Sequence, residues 1–298
     1  MTSHHCALPA GHHRVLGVAS AVPFRYVRHL VTVPVRVGDV ETRFVLDTGI
    51  GVNLISAALA ERVGCRPDGS AFTGRRMSGQ EVTVPLGTLS ALGLGEHAGY
   101  DVAAGIFDMQ AMAGLEGVEG FLSLTYFRAT PVTIDYAAGL VIVEDPASLA
   151  HRAQHGTAVP VQVEYDRCST DVLLGIDLPS GRAISAEVDT GSEALVLDVA
   201  LAPEAGVDLA APGTRIHEST DETGHKFTRY FATVDGEVGV TGAPGVRVAC
   251  PEAMFQQIIH DGLVGDQFLR NFVTTYDLPG SRMIFAPPRI PNARTRAS

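Results

Sequence analysis

The chain has 298 residues, of which 46% are hydrophobic and 18% charged, a balance that excludes a disordered chain and allows a sizeable core. A formal net charge of −11 argues against nucleic acid or an anionic membrane surface as a partner. The 32 glycines and 17 prolines separate short runs rich in β-branched residues, and this pattern predicts an all-β fold of many short strands and turns.

Neither a metal site nor a membrane span is predicted. The four cysteines lie far apart without metal-ligand spacing, and the histidines near the N-terminus have no acidic residues beside them. No stretch is long and apolar enough to cross a bilayer. We interpret residues 1–29 as an N-terminal leader and expect a cytoplasmic protein. The short apolar run at 15–22 leaves a signal peptide as the alternative.

The first predicted unit spans residues 30–145 and begins with a hairpin. Residues 30–37 and 41–46 alternate as strands do, and Gly38-Asp39 supplies a turn between them. The second strand ends at Asp47-Thr48-Gly49, after which a serine cap, helix formers and a terminal glycine predict a short helix over 57–64. The unit continues with a hairpin over 72–95 that turns at Ser78-Gly79-Gln80, and with strands near 118–123, 130–136 and 140–143.

Residues 146–157 form a polar segment that we interpret as a linker, because the pattern restarts after it as a second unit over 158–286. In order, this unit has a strand near 159–163, a turn at 179–181, the motif Asp189-Thr190-Gly191, a short-helix position over 200–207, a hairpin tip at Thr223-Gly224-His225, and strands near 261–265, 273–277 and 283–285. The tail, residues 287–298, is rich in proline and arginine and is expected to be disordered.

The two Asp-Thr-Gly motifs belong to an internal repeat, because landmarks around them recur at equal distances. Asp47 precedes Asp189 by 142 positions (189 − 47). Gly120 follows Asp47 by 73 positions (120 − 47), and Gly262 follows Asp189 by 73 (262 − 189). A strand-end aspartate follows each motif after 88 positions (135 − 47 and 277 − 189). A common offset at several landmarks indicates a duplicated unit.

Two equivalent units related by a local two-fold axis would bring Asp47 and Asp189 together in a cleft. Like charges that close cannot both ionise easily, so the pair would hold one proton over a wide pH range. One carboxylate could then deprotonate a bound water while the protonated partner donates to a substrate carbonyl. The motif glycines allow tight turns close to the carboxylates, and the threonine hydroxyls can bond across the axis.

These motifs make the chain resemble the aspartic proteases, and within them the retropepsin-type family found in bacteria. The resemblance is carried by residues 46–49 with 53–56, and by residues 261–265 with 268–269. It implies a bilobal acid-protease fold, in which two retropepsin-like lobes, 30–145 and 158–286, are related by a pseudo-two-fold axis with the active-site cleft between them. One chain would supply both halves of the site, so a homodimer is not required.

The resemblance also implies roles for individual residues. Asp47 and Asp189 would be the catalytic pair, working without a metal or cofactor. Residues that would support the pair are Thr48, Gly49, Thr190, Gly191 and Ser192, with hydrogen bonds across the axis from the two threonines. Hairpins at Ser78-Gly79 and Thr223-Gly224-His225 would be flaps over a peptide or protein substrate. The elements packing behind the two aspartates would be Phe121-Leu122-Ser123 and Leu263-Val264-Gly265.

Two departures make the units unequal. Ser123 stands where the family pattern has glycine, which places a side chain where the backbone normally packs tightly. Ile50 follows the first motif and Ser192 follows the second, so only the second motif has a hydroxyl able to bond its own aspartate. The two aspartates are therefore expected to differ in proton affinity.

Glu187 is a third difference, because its counterpart in the first unit is Val45. It lies two residues before Asp189 on the same strand, so both side chains should point to the same face. We predict that this carboxylate attracts a cationic substrate group or raises the proton affinity of the pair, unless strand twist turns it to solvent.

The sequence thus predicts an aspartic endopeptidase that hydrolyses peptide bonds with a water activated between Asp47 and Asp189. Two other functions stay open. The same pair could perform hydrolysis or dehydration of a small molecule, or the cleft could belong to a non-catalytic peptide-binding module, against which the two intact motifs argue. Because Asp-x-Gly is also an ordinary turn sequence, a structural role for the aspartates is the remaining alternative.

Overall fold

The computed structural model describes residues 12–14, 19–109, 114–166, 168–220 and 226–288, and for 12–14 the backbone alone. In these ranges the chain forms 25 strands in three sheets, numbered β1 to β25 in chain order. The α-helices in the same ranges are α1 (Ala57–Arg62), α2 (Pro146–His155) and α3 (Asp266–Leu269), and short 3-10 helices cover Leu124–Phe127 and Val199–Leu201. The predicted all-β fold is confirmed.

The first sheet is built from the first half of the described chain. Its strands are β1 (His12–Arg14), β3 (Arg25–Val27), β4 (Leu30–Val37), β5 (Val40–Leu46), β6 (Leu54–Ser56), β7 (Pro67–Arg75), β8 (Glu81–Leu94), β9 (His97–Phe107) and β10 (Gly120–Leu122). They are ordered β1-β9-β6-β10-β5-β4-β8-β7, with β3 paired to β4. β7 and β8 form the predicted hairpin, which turns at residues 77–79.

The third sheet is built from the second half in the same manner. Its strands are β14 (Gln162–Asp166), β15 (Ser169–Asp177), β16 (Ala183–Val188), β17 (Leu195–Asp198), β18 (Arg215–Thr220), β19 (Lys226–Thr233), β20 (Glu237–Val240), β21 (Ala243–Ala249), β22 (Glu252–Gln256) and β23 (Gly262–Val264). They are ordered β18-β19-β22-β17-β23-β16-β15-β20-β21, with β14 paired to β15.

The second sheet joins the two halves. Its strands are β2 (Ser20–Pro23), β11 (Val132–Asp135), β12 (Leu140–Val143), β13 (Thr157–Pro160), β24 (Val273–Asp277) and β25 (Arg282–Ala286), in the order β13-β25-β24-β11-β12-β2. At its centre β11 of the first half pairs antiparallel with β24 of the second, and the hydroxyls of Thr133 and Thr275 are 2.7 Å apart. The fold is therefore bilobal, with a shared sheet beneath both lobes.

Alternating apolar residues place the core, as the strand patterns predict. On β4 the valines Val31, Val33, Val35 and Val37 are all buried. They belong to one apolar cluster that continues through both lobes and the shared sheet. Ser56 caps α1 by accepting from the Leu59 N–H at 3.0 Å, which is the predicted helix start. The described residues include no helix that is long and apolar enough to cross a membrane.

The segment interpreted as a linker is largely helical. Asp145 Oδ1 accepts from the Ser148 N–H at 2.7 Å, and Ser148 Oγ accepts from the Asp145 N–H at 2.9 Å, so the two residues form a capping box for α2. Pro146 fits the first turn because its missing N–H would be unpaired there anyway. No residue of α2 is buried, so the helix has no apolar stripe for a sequence pattern to reveal.

Part of the segment interpreted as a leader is also built into the fold. β2 pairs with β12 of the shared sheet, and β3 pairs with β4 of the first lobe. The Ala19 N–H donates to Asp145 Oδ2 at 3.0 Å, and Phe24 is buried. The β2–β12 pairing and the Ala19–Asp145 hydrogen bond join residues more than a hundred positions apart, so the local sequence could not reveal them. The predicted disordered tail lies outside the described residues from 289 onward.

Candidate active site

Each Asp-Thr-Gly turn begins where a lobe's central strand ends beside a short parallel strand. β5 delivers Asp47, whose N–H donates to the Leu122 carbonyl of β10 at 3.0 Å. In the other lobe β16 delivers Asp189, whose N–H donates to the Val264 carbonyl of β23, also at 3.0 Å. The two turns therefore have the same backbone support.

The threonines lock the two turns together across the lobes. The Thr48 N–H donates to Thr190 Oγ1 at 3.1 Å, and the Thr190 N–H donates to Thr48 Oγ1 at 3.0 Å. Each hydroxyl then donates onward, Thr48 to the Val188 carbonyl at 2.6 Å and Thr190 to the Leu46 carbonyl at 2.8 Å. All four bonds are buried and cross from one lobe to the other, so neither turn can move without the other.

The glycines let the two carboxyl groups approach. The Gly49 N–H donates to Asp47 Oδ1 at 3.0 Å, and the Gly191 N–H donates to Asp189 Oδ1 at 2.9 Å. A Cβ atom on Gly49 would lie 2.6 Å from Cγ of Asp189, and one on Gly191 would lie 2.5 Å from Oδ2 of Asp47. Each carboxyl group thus rests against the other lobe's glycine, and the two carboxyl groups face each other.

Burial dominates the electrostatics of this pair. The pKa of Asp47 lies well above its ordinary value, first because the carboxyl is buried and then because the charge of Asp189 is close. Burial also raises the pKa of Asp189, while the N–H groups of Gly191 and Ser192 and a hydrogen bond from Asp47 act in the opposite direction. The pair therefore holds one proton over a wide pH range.

Glu187 is buried next to this pair and is not turned to solvent. It is 9% exposed, and on the sheet it lies beside Leu173 of β15 and Leu263 of β23. Burial, followed by the charges of Asp189, Asp171, Asp47 and Glu164, raises the pKa of Glu187 to about 9, so this side chain is neutral at neutral pH. Its Oε2 lies 3.4 Å from Nε2 of His260, whose own pKa is lowered by burial.

The other residues that distinguish the two motifs fall in different surroundings. Val45 is fully buried in an apolar cluster, and Ile50 packs against the same cluster. The Ser192 hydroxyl donates to the Ala194 carbonyl at 3.3 Å instead of bonding Asp189, which corrects the predicted use of that hydroxyl. The backbone N–H of Ser192 donates to the Asp189 backbone carbonyl at 3.2 Å, and the Gly191 N–H is the one that bonds the Asp189 carboxyl.

Ser123 is accommodated where glycine was expected. Its N–H donates to Asn53 Oδ1 at 3.0 Å, and its hydroxyl lies 3.3 Å from the same oxygen. The hydroxyl also accepts from the Thr125 N–H, so it caps the following 3-10 helix. At Gly265, by contrast, an added Cβ would overlap the Ala194 carbonyl oxygen. The Asn53 amide therefore creates room and partners for the serine in the first lobe alone.

The first predicted flap reaches across to the other lobe. Gly79 adopts a φ of +85° at the hairpin tip, and the Ile259 N–H donates to the Met77 carbonyl at 2.9 Å. The Met77 side chain packs on the apolar cluster of Val196, Met254 and Leu263 in the third sheet. Leu263 is the neighbour of Glu187 on β23, so the tip contacts the second lobe close to the paired aspartates.

A cavity of about 790 Å³ lies between the first hairpin and the second. It is lined by Ser78 of the first tip, by Lys226, Phe227 and Tyr230 of β19, and by residues 256–259. Asp47 and Asp189 do not line it, so this cavity lies lateral to the pair. The second predicted flap tip, Thr223-Gly224-His225, lies outside the described residues, and the strands that lead to it, β18 and β19, pair as a hairpin.

Sequence reasoning missed two residues of the N-terminal segment, of which one contacts the second turn directly and the other supports it through Asp266. His29 Nε2 lies 3.0 Å from the Gly191 carbonyl oxygen. The Tyr26 hydroxyl donates to Oδ1 of Asp266 at 3.1 Å, and the Asp266 N–H donates to the Ser192 carbonyl at 2.8 Å. Both residues belong to a segment interpreted as a leader, and no local pattern signals contacts across 162 and 240 positions.

Comparison with known proteins agrees with this architecture. Residues 33–126, which include Asp47 but not Asp189, match the family model described as Aspartyl protease. The fold is similar to the crystal structure of basic 7S globulin from soybean, with a TM-score of 0.56 and 11% identity over 90% of this chain and 95% of that chain. No curated protein sequence matches the chain significantly. The resemblance to aspartic proteases is confirmed, and the fold is of the aspartic-protease type.

Proposed function

We propose that the protein is an aspartic endopeptidase in which Asp47 and Asp189 activate a water molecule to hydrolyse a peptide bond, without a metal or cofactor. The observation that carries the proposal is the opposition of the two carboxyl groups, each resting against the other lobe's glycine. Bringing the two carboxyl groups this close together buries both of them, and burial of a charged group costs free energy. Two turns with only a structural role would not require this cost.

The geometry supports a general acid–base mechanism. The ionised carboxyl accepts a proton from water, whose oxygen forms a bond to the peptide carbonyl carbon, while the protonated carboxyl donates to the carbonyl oxygen. The resulting tetrahedral intermediate then breaks its C–N bond as one carboxyl group supplies a proton to the amine nitrogen and the other accepts a proton from a hydroxyl of the intermediate, which re-forms the carbonyl group. One proton shared by Asp47 and Asp189 at the start is sufficient for both steps.

The surroundings of the pair suit a peptide or protein substrate. The first hairpin tip extends over the cleft to the second lobe, and the lateral cavity beside it extends along β19. An extended peptide can occupy such a groove and bond to the strand backbones on either side. Because one chain contributes both aspartates, activity is expected from a monomer.

Cleavage of a diverse peptide library, measured from acidic to neutral pH, tests the proposal. We expect the wild type to cleave, and Asp47→Asn and Asp189→Asn each to lose roughly 10²–10⁴-fold in rate, the contribution typical of general acid–base groups. A statine-type mimic of the transition state should inhibit. Asp101→Asn is the matched control, because Asp101 is exposed and asparagine tolerates its φ of +53°.

Absence of cleavage at every pH would contradict the proposal and favour the small-molecule alternative. Peptide binding without cleavage would favour the non-catalytic module. Cleavage that both asparagine variants retain would show that the aspartates are structural.

A further inference from the structure

The second Asp-Thr-Gly turn is held by a histidine from outside its own lobe. His29 lies in the turn between β3 and β4, and its Nε2 is 3.0 Å from the Gly191 carbonyl oxygen. Because a carbonyl oxygen only accepts, Nε2 carries the hydrogen and donates it. The other ring nitrogen, Nδ1, lies 3.8 Å from Oε2 of Glu193.

This hydrogen bond holds the residue that bonds the Asp189 carboxyl. The Gly191 N–H donates to Asp189 Oδ1 at 2.9 Å, and a backbone N–H in this position favours the ionised form of the carboxyl. The Ser192 N–H, one residue further on, donates to the Asp189 backbone carbonyl at 3.2 Å. His29 is thereby connected to the Asp189 carboxyl through Gly191, without contacting substrate.

The same hairpin is fixed at a second point. Tyr26 on β3 donates to the Asp266 carboxyl, and the Asp266 N–H in turn donates to the Ser192 carbonyl. Asp266 is itself buried, so this anchor is shielded from water. Two contacts from one hairpin therefore hold the backbone of the second turn on both sides of Ser192.

The first turn has a counterpart of a different chemical type. There the Thr170 N–H, from the start of β15, donates to the Gly51 carbonyl at 3.3 Å, and the Thr125 hydroxyl donates to the same carbonyl. The carboxyl of Asp171, the next residue of β15, lies beside Gly51, 3.4 Å from where a Cβ on that glycine would be. Each lobe's first hairpin thus contacts the other lobe's Asp turn, with an imidazole at the second turn and a carboxyl at the first.

Several titratable groups surround this position. The acidic groups that face Asp189 or His29 are Asp47 on the first turn, Glu187 on β16, Glu193 after the second motif and Asp266 on α3. The other titratable groups are Arg270 at the C-terminal end of α3, Tyr276 on β24 and Tyr26 on β3. When His29 is protonated, its charge lowers the pKa of Asp189. Glu187 is neutral at neutral pH and does not oppose this effect.

We propose that His29 is a positioning residue which, by holding Gly191 with its N–H on the Asp189 carboxyl, makes Asp189 the ionised, water-activating member of the pair and leaves the proton on Asp47. This assignment rests on the proposed function, since it divides the acid and base roles of that mechanism. Asp189 accepts the proton of the attacking water, and Asp47 donates to the substrate carbonyl oxygen.

Two variants of the full chain separate the hydrogen bond from the charge. His29→Gln retains a donor of similar reach without a positive charge, and His29→Leu removes both. The aspartates are labelled with ¹³C at the carboxyl, and Asp47→Asn and Asp189→Asn assign the two signals. We expect the lower titration step of the pair, assigned to Asp189, to move upward from wild type to His29→Gln and further in His29→Leu, by about 0.5–1 pH unit in the leucine variant.

Peptidase kinetics supply the second readout. The acid limb of the kcat/KM profile should move to higher pH in His29→Gln and further in His29→Leu. In the leucine variant this shift corresponds to about a three- to tenfold lower kcat/KM at pH values on the acid limb, with KM within about twofold of wild type. His155→Gln is the matched control, because His155 is exposed on α2 and bonds only within that helix.

A carboxyl titration and an acid limb that stay at wild-type pH in folded His29 variants overturn the proposal. A lower melting temperature with an unchanged pH profile would also overturn it, because His29 would then have only a structural role. Assignment of the lower titration step of the pair to Asp47 would overturn it as well. If the wild type cleaves no peptide, the proposed function fails, while the carboxyl titration still decides the role of His29.

Discussion

Thr48 and Thr190 each donate their backbone N–H to the hydroxyl oxygen of the other, at 3.1 and 3.0 Å, although 142 positions separate them in the chain. Each hydroxyl also donates to a carbonyl of the opposite lobe. This reciprocal lock is buried, so a hydroxyl removed from it leaves backbone groups without partners.

Replacing Thr190 with valine tests the lock at nearly constant shape. The Thr48 N–H and the Leu46 carbonyl would lose their partner, and we expect the free energy of unfolding to fall by about 2–4 kcal/mol. Urea unfolding measures the change. Thr73→Val, on an exposed hairpin strand, is the control and should alter stability by less than about 0.5 kcal/mol. Equal midpoints for the two variants would contradict the lock.

Gly191→Ala tests whether the opposed carboxyls need the glycine. The new Cβ would lie 2.5 Å from Oδ2 of Asp47, so the carboxyl must shift by an ångström or so, and we expect peptidase activity to fall by about 10²-fold or more. Gly213→Ala is the matched control, because an added Cβ there meets no atom within 4 Å. Wild-type turnover by a folded Gly191→Ala protein would show that the pair is not in close opposition.

The raised pKa of Glu187 makes stability depend on pH. Its carboxyl titrates near its ordinary value of 4.5 in the unfolded chain but near 9 in the folded one, so the folded state binds the extra proton between these values. The wild type therefore loses stability as pH rises from about 4.5 towards 9, and Glu187→Gln should remove this loss. Urea unfolding should show similar stability at pH near 4 and an advantage for the variant of about a few kcal/mol at pH near 8.

Glu96→Gln, at an exposed position, controls for the loss of a carboxyl group. Parallel pH curves for wild type and Glu187→Gln would contradict the buried, protonated state of Glu187. In kinetics across peptides with cationic and neutral residues, Glu187→Gln should change substrate preference or the pH optimum. Unchanged kinetics at every pH would remove Glu187 from the site.

Met77 should control how firmly the first hairpin tip rests on the second lobe. Met77→Ala removes most of the side chain that packs on Val196, Met254 and Leu263. The Ile259 amide, which donates to the Met77 carbonyl, should then exchange its hydrogen about tenfold faster. Met77→Leu preserves the apolar contact and should exchange at the wild-type rate. Identical exchange in all three proteins would show that the side chain does not hold the tip.

The strands and the first helix could be predicted because their signals are local. Alternating valines on β4 and the cap at Ser56 depend on neighbours only a few positions away. The helix α2 could not, since its residues are polar and none is buried. The shared sheet could not either, because the pairing of β11 with β24 joins segments far apart in the chain.

Within the candidate site, the repeat predicted which residues meet but not how their hydrogen bonds are directed. The equal spacing around the two motifs predicted that Asp47 and Asp189 meet. The alternation of side chains along β16 predicted that Glu187 points to the same side as Asp189, and the charges of both aspartates do act on it. The Ser192 hydroxyl points to the Ala194 carbonyl two residues later, and the spacing between the two motifs does not predict in which direction a side chain donates its hydrogen bond. His29 reaches Gly191 only through the lobe-to-lobe arrangement, so its role has no local signature.

A site assembled from two identical subunits must carry each substitution twice, once on either side of its axis. This chain supplies both sides itself, and each side can therefore change alone: the imidazole of His29 faces one turn, and the backbone of Thr170 faces the other. A mutation at residue 29 consequently removes a contact from one turn and leaves the contacts of the other turn in place. Single-sided tuning of this kind offers an engineer separate control of the acid and the base, which a symmetric assembly cannot provide.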